Sequence, residues 1–232
     1  MFEGRMVKIA AMLQEPNKKI PLSERICNVG IDLLGADGIA LSIFHNHVLT
    51  SEISSKKEFA FLDEQQFTYG EGPTFDASTS LTPISAHNFS SKRDQKTWPI
   101  FAPVADKKGV HSMVAFPLRI GNSSIGVLSA YRKNKTEISP DQYVDGITLS
   151  TLTSNYLIQE FSGQKEPDLQ QILGIAQQDQ SLLHLASGMV AEKLNISIIE
   201  AMVRIRAYAY KSDLPLTQVA NLIVNRKIEM EE

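Results

Sequence analysis

The feature that most constrains the fold is a series of three short helical patterns between residues 182 and 224, with almost no linker between them. In each pattern apolar residues recur at spacings of three to five, so they line one face of a helix. For the second helix the predicted buried face is Ala201, Met202, Ile205 and Ala209. Pro215 separates the second helix from the third. This part of the chain is therefore predicted to be a compact all-α unit.

Two local signals refine this prediction. Ser197 and Glu200 stand at capping-box spacing, which predicts that the second helix begins at Ile198. Gly188 lies inside the first helical pattern, where glycine costs ~1 kcal/mol relative to alanine. We therefore predict that a neighbouring helix approaches the chain closely at Gly188.

The ordered set of these residues resembles the ANTAR domain, a small all-helical RNA-binding antitermination module of bacterial regulators. The matching residues are Ala186, Gly188, Leu194, Ser197, Ala201, Ile205, Arg206, Ala209, Leu216, Val219, Ala220 and Val224. The resemblance implies that the unit binds hairpin loops in nascent transcripts and so prevents a terminator from forming. Ser187 and Leu214 depart from the family, because many members carry Lys or Arg at the first position and Arg at the second.

The cations of this unit are the candidate RNA contacts. From Ser181 to Ile228 there are six cations and three anions, whereas the whole chain has a net charge of −3, so any RNA contact must be local. Arg204 and Arg206 flank the buried face of the second helix on opposite sides, and they are not expected to reach the same phosphate. Tyr208 and Tyr210 could stack on unpaired bases, with one of them expected to pack in the core. The predicted RNA-binding residues are Ser187, Lys193, Arg204, Arg206, Tyr208, Lys211 and Arg226.

The preceding part of the chain mixes helical and strand patterns. Helices are predicted over residues 2–13, 22–34, 98–106 and 140–161, and strands over residues 39–44, 48–53, 83–86, 112–120 and 124–132. Gly35 is placed to end the second helix, and Ser139 to cap the last. Gly121 and Asn122 form a strong hairpin signal between the last two strands. The pattern predicts an α+β fold with a central antiparallel sheet and helices on one side.

Three segments in this part, residues 70–77, 98–121 and 124–132, resemble GAF domains found upstream of ANTAR modules. The resemblance implies a GAF-like sensor domain over residues 1–161. A linker over 162–168 and an ANTAR-like RNA-binding domain over 169–232 would follow. Aromatic side chains could line a pocket for a small-molecule ligand of the sensor, although an ordinary core explains most of them better. These side chains are Phe75, Trp98, Phe101, Phe116 and Tyr131.

An approximate heptad pattern connects the two predicted domains. Leu169, Ile172, Ala176 and Leu183 carry its apolar positions, which predicts pairing with a second chain. In a homodimer two ANTAR-like domains would face paired hairpin loops, and avidity would offset weak single contacts.

Signals for catalysis, metals and cofactors are weak. His45 and His47 alternate as metal ligands on a strand would, but no third ligand follows at a suitable spacing. His87 and His111 could ligate haem, although hydrogen-bonded histidines are commoner. Cys27 fits a helix core better than a nucleophilic role, and no nucleophile elbow or phosphate-binding loop is present. We therefore expect neither an enzyme nor a bound metal or cofactor.

The sequence also suggests a compartment and a function. The first residues include Glu3 and only a short apolar run, unlike a signal peptide, and no stretch reaches the length of a transmembrane helix. We expect a cytoplasmic, signal-responsive antitermination regulator that binds hairpin RNA. Two alternatives stay open: a DNA-binding transcriptional regulator, because three short helices with arginines also describe a helix-turn-helix protein, and a sensor whose helical tail binds a protein partner.

Overall fold

The computed structural model describes residues 2–14, 20–45, 48–161 and 182–230. In the N-terminal part the helices are α1 (Phe2–Leu13), α2 (Leu22–Leu34), α3 (Lys57–Tyr69), α4 (Pro73–Ser80), α5 (Lys92–Thr97), α6 (Phe101–Lys107) and α7 (Pro140–Phe161). The strands are β1 (Gly38–His45), β2 (Val48–Ser54), β3 (Ile84–Ala86), β4 (Ser112–Ile120) and β5 (Ser123–Arg132). The last three helices are α8 (Leu182–Leu194), α9 (Ile198–Ser212) and α10 (Leu216–Val224).

The five strands form one antiparallel sheet in the order β2-β1-β5-β4-β3. The hairpin between β4 and β5 turns at Gly121, whose φ of +57° favours glycine. Gly35 ends α2 in the left-handed conformation, and the Ser139 hydroxyl accepts a hydrogen bond from the Gln142 amide at the start of α7. The predicted α+β class and the antiparallel sheet are confirmed.

Helices cover both faces of the sheet, so the prediction of helices on one side only is wrong. Side chains alternate between the two faces along each strand. On β1, Ile39 and Leu41 pack with α1, α2 and α7, whereas Ala40 points to the opposite cluster with α3, α4 and α6. Residues 112–118 of β4 are all buried, as a strand covered on both faces requires.

Helices α3, α4 and α5 lie outside the ranges predicted to be helical, and α6 begins later than predicted. Helix α5 was not predicted, because its six residues have no apolar periodicity; the Ser91 hydroxyl caps it by accepting from the Asp94 amide at 3.1 Å. Helix α6 begins at Phe101 rather than at Trp98. The amides of Ile100, which precedes the helix, and of Phe101, its first residue, donate to the Glu71 carboxylate, each at 2.6 Å. A distant side chain therefore fixes where this helix starts.

Helices α8, α9 and α10 form a C-terminal unit around a third apolar cluster. The predicted buried residues Ala201, Ile205 and Ala209 are fully buried in it, and Met202 is half-buried. The predicted capping box is present: the Ser197 hydroxyl accepts from the Glu200 amide at 3.2 Å, and the Glu200 carboxylate accepts from the Ser197 amide at 2.9 Å. The predicted linker and the first three heptad positions, Leu169, Ile172 and Ala176, lie outside the described residues.

Within the described residues no single helix is long and apolar enough to cross a membrane. Only α8 and α9 taken together, bent by 106°, reach such a length and composition.

Gly188 is not a close-packing glycine, and that prediction is wrong. A methyl group added to Gly188 would meet no atom within 4 Å, apart from its own helix backbone and its chain neighbours. The helical repeat gives the reason: the buried residues Leu183, Ala186 and Val190 lie on one side of α8, and Gly188 points away from them.

The variant Gly188→Ala is therefore expected to stabilise the C-terminal unit by about 0.5–1 kcal/mol, because alanine in a helix interior loses less backbone entropy than glycine. Far-ultraviolet circular dichroism during urea unfolding measures the change. A loss of stability would mean that the site is crowded after all.

Candidate functional sites

A cluster of buried polar side chains lies between the sheet and helices α3 and α4. At its centre the Asp63 carboxylate of α3 is fully buried and accepts four hydrogen bonds. The donors are the Ser42 and Tyr131 hydroxyls from the sheet, the Gln66 side-chain amide at 3.1 Å and the Thr74 hydroxyl at 2.9 Å. A carboxylate removed from water is retained only with such partners.

The cluster joins three secondary-structure elements. Gln66 lies one turn after Asp63 on α3, and its side-chain oxygen accepts from the Thr74 backbone amide at 2.7 Å, where α4 begins. The Thr74 hydroxyl also lies 2.8 Å from the Ser129 hydroxyl on β5. We call this set the buried polar cluster; its members are Ser42, Asp63, Gln66, Thr74, Ser129 and Tyr131. It fixes the positions of α3 and α4 relative to the sheet.

Two opposing effects set the charge of Asp63. Burial raises the pKa of the Asp63 carboxyl, because the charged form loses its hydration. The hydrogen bonds from Ser42, Tyr131 and Thr74 act in the opposite direction, because they favour the charged form. Burial is the larger effect, so the pKa of Asp63 lies above its ordinary value.

This cluster was not predicted, although the sequence carries a signal for it. Phe59, Leu62, Asp63 and Gln66 follow helical spacing on α3, and all four are buried. Two polar residues within an otherwise apolar helix face indicate buried polar partners.

The aromatic residues predicted to line a ligand pocket do not surround one space. Trp98, Phe101 and Tyr131 are buried on the side of the sheet that carries the cluster, with Phe75 half-buried beside them. Phe116 belongs to the opposite face, where its ring centroid lies 6.0 Å from that of Tyr143 on α7. Any ligand of the first four would not touch Phe116.

The candidate metal and nucleophilic residues have ordinary surroundings. His111 Nδ1 lies 2.7 Å from the Asp106 carboxylate, and His87 is half-buried. Among the residues with described positions, no three His, Cys, Asp or Glu side chains are grouped as a metal site; His47 is outside that set. Burial raises the pKa of the Cys27 thiol to about 12, so it carries no thiolate at neutral pH.

The predicted RNA-contacting residues separate into distinct places on the C-terminal unit. Arg204 and Lys211 lie seven residues apart on α9, two helical turns, and so share its outer face. Lys211 is exposed and Arg204 half-exposed. Glu200, one turn before Arg204, has a lowered pKa, mainly because of its hydrogen bonds with Ser197, with Arg204 contributing.

A second pair of cations borders a cleft of about 480 Å³ between α8 and the segment after α10. Lys193 and Arg226 both line it, and the Lys193 ammonium lies 2.6 Å from the Glu229 carboxylate. RNA phosphate would therefore compete with Glu229 for Lys193.

Ser187 and Tyr208 are turned towards the interior of the unit. Ser187 is buried, and its hydroxyl donates to the His184 carbonyl at 3.0 Å. Tyr208 packs partly against the apolar cluster, whereas Tyr210 is 56% exposed. Of the two tyrosines, Tyr208 is thus the one in the core.

Arg206 lies against the N-terminal part of the protein and is half-buried. Its guanidinium carbon lies 5.9 Å from the centre of the Phe75 ring on α4, and its Nε is buried with no hydrogen-bond partner among the described residues. Burial lowers the pKa of this guanidinium. Next to it, the rings of Tyr210 and Tyr69 meet edge to face with centroids 5.5 Å apart. Arg204 and Arg206 thus point to different sides of α9.

No family profile and no curated protein matches the chain. Among solved structures, it is similar to the GAF domain of a phosphoenolpyruvate-protein phosphotransferase from Acinetobacter, at 13% identity over 70% of this chain and 96% of that one, with a TM-score of 0.48. The GAF domain of a phosphoenolpyruvate-protein phosphotransferase from Coxiella burnetii is 14% identical over 69% of this chain and 95% of that one, with a TM-score of 0.48. For the chromophore-binding domain of the Stigmatella aurantiaca bacteriophytochrome the identity is 11% and the TM-score 0.48; the likeness covers 68% of this chain and 60% of that chain.

Proposed function

We propose that the protein is a cytoplasmic, signal-responsive antitermination regulator with a GAF-like sensor and an ANTAR-like unit that binds hairpin RNA. The observation that carries the proposal is the outer face of α9, where Arg204 and Lys211 are presented two turns apart on a helix whose start is fixed by a capping box. Cations on one face of a helix can contact phosphates of a loop, and RNA loops are recognised by such backbone contacts together with base stacking. The ordered resemblance to ANTAR sequences supports RNA over other anions.

A second candidate function is binding of a protein partner through the helical tail. It is favoured by exposed apolar side chains at the start of α9, where Ile198, Ile199 and Val203 are 61%, 79% and 58% exposed. Exposed apolar residues that lie together are typical of protein interaction surfaces.

Affinity measurements on the full chain separate these functions. Binding to a hairpin RNA, to the same sequence as duplex DNA and to a single-stranded scramble is compared at one salt concentration, because affinities at different salt concentrations are not comparable. The antitermination proposal expects the hairpin to bind tightest. Tightest binding to duplex DNA would favour the helix-turn-helix alternative, and no binding to any of the three at low salt would favour the protein partner.

Alanine substitution of the cations tests where the RNA lies. We expect Arg204→Ala and Lys211→Ala to weaken hairpin binding and to make the salt slope shallower by roughly 0.7–0.9 for each lost phosphate contact. Lys96→Ala is the matched control, because Lys96 is an exposed lysine of α5, in the N-terminal part. If Arg204, Arg206, Lys211 and Arg226 can each be replaced without effect on binding by a folded protein, the RNA surface is elsewhere.

The proposed regulator is a homodimer that pairs through the heptad positions Leu169, Ile172 and Ala176; the fourth position, Leu183, packs in the core of the C-terminal unit and is not available to a partner helix. Light scattering at micromolar concentration should give about twice 25.7 kDa. A mass of one chain that does not rise with concentration would contradict this.

A further inference from the structure

The contact between α9 and the end of α3 brings a candidate RNA-binding arginine against the N-terminal part of the protein. On α3 and α4 it consists of Tyr69, Gly70 and Phe75, and on α9 of Arg206 and Tyr210. Gly70 ends α3 with a φ of +70°, and Arg206 Nη1 lies 3.6 Å from the point where a side chain at Gly70 would begin. We call this set of five residues the α3–α9 contact.

Arg206 is held in this contact by weak interactions. The carbonyl end of α3 carries partial negative charge, and the Phe75 ring face attracts a cation, so both favour a guanidinium there. However, the buried Nε has no hydrogen-bond partner, and no acidic side chain among the described residues forms an ion pair with Arg206. A phosphate group would satisfy this guanidinium far better, through two parallel hydrogen bonds.

The contact lies beside a cleft. A cleft of about 510 Å³ lies between the two parts of the protein, lined by Glu64 of α3 on one side and by Leu182, Pro215, Thr217, Gln218, Asn221 and Leu222 on the other. The α3–α9 contact is therefore bordered by open space on the side of α8 and α10.

We propose that the α3–α9 contact is autoinhibitory: it holds Arg206 against α3 and α4, where the buried Nε cannot donate to a phosphate, and its opening releases Arg206 for phosphate. The inference rests on the proposed RNA-binding function and adds how the N-terminal part controls it. Arg206 then has two mutually exclusive partners, the Phe75 ring in the closed state and an RNA phosphate in the open state.

The contact is coupled directly to the buried polar cluster. Tyr69 follows Gln66 by three residues on α3, and Phe75 follows Thr74 directly in the chain. Gln66 and Thr74 are joined by two hydrogen bonds, of 2.7 and 2.9 Å. A change that separates Gln66 from Thr74 therefore moves the two halves of the surface on which Arg206 and Tyr210 rest. This gives a signal in the N-terminal part a physical route to α9.

Three substitutions at one position test the proposal in the full chain: Phe75→Lys, Phe75→Gln and Phe75→Glu. All three remove the ring and are similar in size, so their differences report charge beside Arg206. The lysine should repel Arg206 and open the contact, and the glutamate should pair with it and close the contact. We expect faster backbone hydrogen exchange in residues 206–213 in the order Lys, Gln, Glu. Hairpin RNA affinity should fall in the same order, by roughly tenfold from Lys to Glu.

Tyr69→Ala provides a second test. It removes the edge-to-face contact with Tyr210 by changing α3 in the N-terminal part, so the proposed RNA-binding residues of α9 are left intact. It should raise RNA affinity by about 2- to 10-fold. Equal hydrogen exchange in the three Phe75 variants would overturn the inference. The inference would also be overturned if hydrogen exchange followed the expected order but the three variants bound RNA with equal affinity. In that case the proposed RNA-binding function would still hold. Failure of every variant and of the parent to bind hairpin RNA would instead overturn the proposed function, and the autoinhibition with it.

Discussion

Replacing Asp63 by alanine is expected to cost about 3–5 kcal/mol of folding stability. The change leaves the Ser42, Gln66, Thr74 and Tyr131 donors in a buried site without their common acceptor, and each unsatisfied buried donor costs roughly 1–3 kcal/mol. The total is smaller than the sum, because the hydroxyls can turn towards one another, as Thr74 and Ser129 already do.

The measurement can be confined to the N-terminal part of the protein. Trp98 is the single tryptophan of the chain and is buried among α5, α6 and the sheet. Its fluorescence during urea unfolding therefore reports the part that contains Asp63, even if the C-terminal unit unfolds separately. The control is Asp63→Asn, which keeps the shape and one acceptor oxygen and should cost less, about 1–3 kcal/mol. Equal midpoints and slopes for all three proteins would mean that the cluster contributes nothing to stability.

Comparison of Asp63 with Asp63→Asn also has an expected pH dependence. Because burial raises the pKa of Asp63 above its unfolded value, the folded state binds this proton more tightly than the unfolded state. The stability that the group contributes is complete below the unfolded pKa and declines as the pH rises through the folded one. The parent should therefore lose stability relative to the asparagine variant as pH rises from about 4. If the parent instead gained stability relative to the asparagine variant as the pH rose, the hydrogen bonds to the carboxylate would outweigh burial.

The elements that sequence reasoning located correctly are those specified by neighbouring residues. Gly35 and Ser139 mark helix ends through their own backbone and side chain, and the turn at Gly121 depends on two residues between two apolar strands. The capping box of Ser197 and Glu200 spans a single turn. Such signals act over three or four residues, so they can be recognised without knowing the tertiary structure.

Features that depend on distant pairing were not predictable in the same way. The carboxylate of Asp63 meets the Tyr131 hydroxyl across 68 positions in the sequence. The helical repeat was enough to predict that Arg204 and Arg206 lie on opposite sides of α9. That Arg206 is covered by Phe75 depends on how two separately packed clusters meet. Gly188 shows the converse, since a residue type that often marks close packing here faces open space.

The second large effect is expected at Gly126 of β5, a buried position in the middle of the sheet. A methyl group at Gly126 would lie 2.4 Å from the Ser42 backbone oxygen on β1 and 3.0 Å from the Leu118 side chain on β4. Both neighbours are strands hydrogen-bonded to β5, so neither can move away without breaking the pairing. Overpacking a core typically costs 1–3 kcal/mol, and we place Gly126→Ala at the upper end, at about 3 kcal/mol, because the clash is with backbone.

The cost should extend to the buried polar cluster, because the strand residue that must shift is Ser42, one of the donors to Asp63. In a thermal scan followed by Trp98 fluorescence, Gly126→Ala should lower the midpoint by roughly 6–12 °C. Gly4→Ala is the matched control: Gly4 is an interior glycine of α1 with no atom within 4 Å of an added methyl group, so its midpoint should stay level or rise. An unchanged midpoint for Gly126→Ala would mean that β1 and β5 can separate at this point. Such a separation would also release Ser42 from Asp63, so a single substitution tests both the central strand pairing and the cluster built on it.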